Sequence, residues 1–138
     1  MKKILLACSA LLFAALTACF IWWYMPTAFL ADIAPTDVAR IEVFNGMSGE
    51  GFTIADADDI EYIVSKIGDV KMRKEEYEAV DGFVYSLAFY GKDGALIEQF
   101  VLNDEESIRD GNIKYETAFE TDEDPLCFCH IRAIEAGK

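Results

Sequence analysis

Residues 4–31 contain no Asp, Glu, Lys, Arg or His, and this charge-free run follows directly on Lys2 and Lys3. A hydrocarbon layer about 30 Å thick takes roughly 20 apolar residues of helix, and the run exceeds that length. The chain therefore reads as one held at a membrane, with its remaining residues displayed on one side. Lys2 and Lys3 place the amino end in the cytoplasm by the positive-inside rule, and Trp22, Trp23 and Tyr24 suit the outer interface. Pro26 lacks an amide hydrogen and ends or kinks the helix near the residue before it. The expected division is a membrane anchor or signal segment over residues 1–26, a short linker over 27–36, and an extracytoplasmic domain over 37–138.

A second reading of the same segment competes with the uncleaved span. Leu16, Thr17, Ala18 and Cys19 resemble the lipobox of bacterial lipoproteins, in which Cys19 would carry the lipid and residues 1–18 would be removed. Against it stand Phe20, Ile21, Trp22, Trp23 and Tyr24, an apolar run where lipoproteins usually continue with a small polar tether. A simple secreted product is the third alternative. All three put the domain outside the cytoplasm.

The outer part is strongly acidic. Of the 12 basic and 25 acidic side chains, only Lys2 and Lys3 fall in the first 31 residues, leaving 10 basic against 25 acidic and a net of −15 for the rest. Such a charge argues against nucleic acid or an anionic lipid surface as partner, since both are recognised through basic patches. Cationic or neutral partners and metal ions fit better, although high negative charge also simply keeps an exposed domain soluble. About 105 residues suffice for one hydrophobic core. Frequent aromatic and β-branched residues argue against disorder, and no internal repeat or low-complexity tract occurs.

Periodicity predicts an α+β fold with a mainly antiparallel sheet. Residues 38–44 and 51–55 read as strands joined through Asn45, Gly46, Ser48 and Gly49, a hairpin signal. Asp56 reads as the N-cap of a helix with Asp58 and Asp59 in its first turn, Ile60, Ile63, Val64 and Ile67 on one face, and Gly68 as its stop. A charged edge strand over 69–75 and a polar loop through Asp81 follow. Residues 82–90 alternate two largely apolar sets, as a central strand does, and Lys92, Asp93 and Gly94 turn into a strand over 95–102. Strands over 107–109 and 113–117 flank Asp110, Gly111 and Asn112, and Asp124 and Pro125 open a last helix ending at Gly137. The expected order after the anchor is β-β-α-β-β-β-β-β-α.

This order resembles a group of uncharacterised small proteins of Gram-positive bacteria that pair an amino-terminal span or lipoprotein signal with one acidic α+β domain. The likeness rests on residues 41–46, 59–67, 82–94 and 108–115, and covers most of the chain after Pro35. It implies an address and a fold; no catalytic motif comes with it.

Cys127, Cys129 and His130, downstream of Glu120, Asp122, Glu123 and Asp124, are the candidate metal ligands, because thiolates and imidazole suit zinc or copper when they converge. On a helix turning about 100° per residue, Cys127 faces the core with Ile131 and Ile134, and Cys129 lies about 200° away. Convergence, like a Cys127–Cys129 disulfide, thus needs an extended segment. Cys8 and Cys19 lie within the apolar run, so the four cysteines make no disulfide scaffold; an exposed Cys129 could pair between molecules. Asp56, Asp58 and Asp59 lack the glycine and the later Glu of a calcium loop and read as capping. Asp104, Glu105 and Glu106 read as a solvated turn, and Ser48 in Gly-Met-Ser-Gly as a hairpin loop without the spacing of a nucleophile elbow.

With one His and no nucleophile paired to a base, the expectation is a non-catalytic domain that uses no cofactor. It binds a protein or envelope component through its acidic surface and an exposed sheet edge. The alternative is a metal or small-ligand binder using Cys127, Cys129, His130 and nearby carboxylates.

Overall fold

The computed structural model describes residues 1–75, 82–118 and 123–138. Helix α1 spans Lys2–Tyr24 with a mean hydropathy of 2.6, and none of it is buried in the protein. It is long and apolar enough to cross a bilayer. A single 3-10 turn, Pro35–Asp37, then leads into β1 (Val38–Asn45), β2 (Gly51–Ile54), α2 (Ala57–Asp69), β3 (Met72–Glu75), β4 (Tyr85–Gly91), β5 (Leu96–Leu102), β6 (Ser107–Asp110), β7 (Ile113–Thr117) and α3 (Phe128–Ala136). The α+β class and the order β-β-α-β-β-β-β-β-α are those the periodicity predicts.

The strands form one sheet in the order β2-β1-β4-β5-β6-β7-β3, with every neighbour antiparallel. In β4, Tyr85, Leu87 and Phe89 are buried while Ser86, Ala88 and Tyr90 are half-buried, so successive side chains alternate between a covered and an open face. The covered face carries the core, where Ile41, Val43, Phe100, Leu102, Ile108 and Tyr115 meet Ile60, Ile63, Val64 and Ile67 of α2 and Phe128 and Ile131 of α3. Full burial of a side chain of this size is worth about 1.5–3 kcal/mol, which explains why a short helix with so narrow an apolar stripe holds. Its start is set by Asp56, whose carboxylate accepts from the amides of Asp58 at 3.0 Å and Asp59 at 3.2 Å.

Several local expectations are corrected. Gly68 does not stop α2, which runs on to Asp69. It lets the chain pass close, since a Cβ there would lie 3.3 Å from the carbonyl oxygen of Leu30. The hairpin turns through Asn45 to Gly49 as the sequence suggests: the Asn45 side chain accepts from the amides of Met47 and Ser48, and Gly49 takes the left-handed conformation at φ +77°. The last helix starts at Phe128, not at Pro125, because Cys127 sits at φ 58° in the left-handed region and breaks the turn.

Residues 27–36 are more than a linker. Thr27 and Met72 exchange backbone hydrogen bonds of 2.7 Å in both directions, adding a bridge outside β3. Phe29 and Leu30 are buried, and the Phe29 ring stands edge-on to Tyr115 at 4.9 Å and against Phe100 at 5.5 Å. The chain between α1 and β1 is part of the core.

Candidate functional site

The sequence-derived ligand set disperses. Cys127 is fully buried, with its thiol pushed up to about 12 by that burial, whereas Cys129 is exposed. Asp124 dominates the surroundings of Cys129: its carboxylate accepts from the amides of Cys129 and His130, capping α3, and its charge raises the Cys129 thiol above its ordinary value. The His130 ring is already engaged, with Nε2 2.9 Å from Asp59 Oδ1 and the ring 4.5 Å from that of Tyr62, which ties α3 to α2. Cys8 and Cys19 are exposed along α1, and all four thiols are free. Among the described residues no three or more His, Cys, Asp and Glu side chains gather to hold a metal ion. Glu120 and Asp122 lie outside the described residues.

Two surfaces take the place of that set. The first is the open sheet face. Phe44, Thr53, Ser86, Ala88, Tyr90 and Gln99 line a shallow depression of about 390 Å³, floored by small side chains and walled by the aromatic ones. Its register explains the shape: Phe44 pairs with Ser86 and Ser86 with Val101, while Glu42 pairs with Ala88 and Ala88 with Gln99. The Arg40 guanidinium lies 4.2 Å over the Tyr90 ring and its Nε bonds Glu42 at 3.0 Å, fixing one rim. Phe44 remains 45% exposed, a large aromatic face with no helix above it among the described residues.

The second is an acidic cleft of about 430 Å³ at the end of the sheet where β5 turns into β6. Asp104, Glu105 and Glu106 form its rim, Glu116 and Ser107 lie across from them, and Val84 and Phe128 supply apolar walls. Asp104 Oδ1 accepts from the Glu106 amide at 2.9 Å, and the Asn103 amide bonds the Ser107 carbonyl at 3.1 Å, so the turn is held. Glu116 binds the Lys114 ammonium, and that bond is the main reason the Lys114 pKa is raised. Ser107 is only 1% exposed and its Oγ has no hydrogen-bond partner among the described residues. The turn at 104–106 agrees with the sequence reading, but the buried hydroxyl behind it was invisible there. Beside it the cleft is lined by Val84 and Phe128, far away in the chain, and no local pattern signals that.

Comparison with protein-family models, with curated proteins and with solved structures gives no match.

Proposed function

We propose that this chain is a membrane-anchored, extracytoplasmic and non-catalytic domain that binds a protein or envelope component on its open sheet face. The observation that carries this reading is the sheet itself: one face is sealed by α2 and α3, and the other presents Phe44, Tyr90 and Val101 around a floor of Ser86 and Ala88 with no cover among the described residues. An exposed apolar and aromatic patch rimmed by polar groups is the usual mark of a docking surface. The apolar α1 and the positive-inside rule support an N-terminus in the cytoplasm and a domain outside; the Cys19 lipobox supports the alternative of a lipid anchor at the outer face. Because Thr27 pairs with Met72 directly after α1, the domain is held against the membrane surface and its partner is one found there.

The test is site-specific photo-crosslinking of the full chain in native membranes, with the probe at Gln99 on the open face or at the exposed Glu61 on α2. A reproducible adduct from position 99 that is absent from position 61 is expected. Equal labelling from both positions, or none from either, would overturn the reading.

A further inference from the structure

The acidic cleft holds a chemical oddity that the docking reading does not use. A buried serine hydroxyl without a partner costs about 1–3 kcal/mol, so such groups are rare in folded proteins and call for an explanation, a bound ligand or water among them. Among the described residues Ser107 Oγ is such a group. Ser107 and Glu116 are register partners across β6 and β7, so their side chains rise from the same face of the sheet, and both line the cleft. Behind a rim of carboxylates there is therefore an uncharged donor and acceptor, flanked by the apolar Val84 and Phe128.

From this we infer that the cleft binds a primary ammonium group carried on a short alkyl chain. The three parts of such a ligand match the three parts of the site. Its charge faces Asp104, Glu105 and Glu106; one of its N–H groups donates to Ser107 Oγ; and its methylenes lie along Val84 and Phe128. A bare metal ion fits less well, since no three carboxylates converge among the described residues and half of such a site would be apolar. A planar guanidinium needs a fork of acceptors, whereas Ser107 offers a single oxygen. The protein already shows the same pairing in cis, where Glu116 takes the Lys114 ammonium at the edge of this cleft. Ser107 Oγ is buried in this structure, so binding requires the cleft to open around it. The volume, about 430 Å³, lies within the range of small-ligand sites. The chemistry is shared by a free alkylamine and by a lysine side chain of a partner protein.

The experiment is calorimetric titration of the full chain, in nanodiscs of zwitterionic lipid, with n-butylammonium, its neutral counterpart n-butanol, calcium, and a glycyl-lysyl-glycine peptide capped at both ends. Saturable binding of butylammonium and none of butanol is expected. Ser107→Ala should weaken it about tenfold, the loss of one hydrogen bond to a charged group, and Glu106→Gln should weaken it and reduce its salt dependence. Ser107→Ala also removes an unsatisfied buried group, so its unfolding midpoint should hold or rise, which separates lost binding from lost folding. Peptide binding as tight as that of butylammonium assigns the site to a partner's lysine; butylammonium binding alone assigns it to a free amine. Calcium binding that displaces butylammonium, non-saturable uptake, or affinity unchanged in both variants would overturn the inference. The cleft shares no lining residue with the open-face depression, so this outcome is independent of the crosslinking result.

Discussion

Lys74 holds its ammonium 3.4 Å from the centre of the Trp22 ring and 5.4 Å from that of Trp23, so the end of α1 and the edge strand β3 meet in a cation–π contact. Such a contact is worth about 0.5–1 kcal/mol when exposed, and more once water is excluded. The chain has only two tryptophans, both here, so their fluorescence reports on this junction alone. Lys74→Ala should shift the tryptophan emission while far-ultraviolet circular dichroism stays unchanged. Identical emission in the two proteins would mean that the contact does not orient the domain.

Tyr85 on β4 donates its hydroxyl to Glu135 Oε2 at 2.6 Å, and Asn45 Nδ2 donates to Oε1 of the same carboxylate at 2.8 Å, so one side chain of α3 ties down two strands. The Tyr85 bond, then the Asn45 bond, hold Glu135 below its ordinary pKa. A depressed carboxyl contributes stability that is present above its unfolded-state pKa and is lost as pH falls through the folded value. Tyr85→Phe should cost about 1–2 kcal/mol at neutral pH and flatten the acidic limb of the stability curve. Urea unfolding of both proteins from neutral to acid pH measures both effects.

At alkaline pH the sign reverses. Burial, joined by the Glu135 bond, pushes the Tyr85 phenol from 10.0 up to about 12, and burial pushes the Cys127 thiol from 9.0 up to about 12. The unfolded chain gives up these protons first, so their contribution is intact below the unfolded values and is lost as pH rises from about 9 to about 12. Burial also raises the Tyr115 phenol, so phenolate absorbance should show these two titrating late, with Tyr85 last and together with unfolding. In the Tyr85→Phe protein the last step should vanish while the raised Tyr115 titration stays.

Thiol chemistry should separate the two carboxy-terminal cysteines. Cys129 is exposed and should be alkylated in the native protein, at a rate that rises with salt because screening relieves the influence of Asp124 and Glu105 on its thiolate. Cys127 should react only when the core opens. Peptide-resolved mass spectrometry distinguishes the two, and rapid native labelling of Cys127 would contradict its burial.

Gly46 follows Asn45 because nothing larger fits. A Cβ there would stand 2.6 Å from the carbonyl oxygen of Phe83, which is backbone and cannot rotate away. Gly46→Ala should therefore destabilise the fold by about 1–3 kcal/mol, the usual cost of forcing a methyl group into filled space. An unchanged denaturation midpoint would show that the 83–85 entry to β4 yields easily.

What the chain determined by itself was everything written in short-range periodicity. The charge-free run defines α1, the spacing of Ile60, Ile63, Val64 and Ile67 with Asp56 ahead of it defines α2, and the alternation over 85–90 defines the central strand, because each depends on neighbours within a few residues. The inward Cys127 and outward Cys129 agree with the helical spacing, but not for its reason, since α3 begins only at Phe128 and Cys127 sits in the left-handed turn ahead of it. Tertiary structure decided the rest: that β3 joins the sheet beyond β7, that residues 27–30 enter the core, that His130 meets Asp59, and that the buried Ser107 lies beside an acidic turn. These relationships join residues far apart in the chain, and their energy comes from burying shared surface, which no local pattern of residue types encodes.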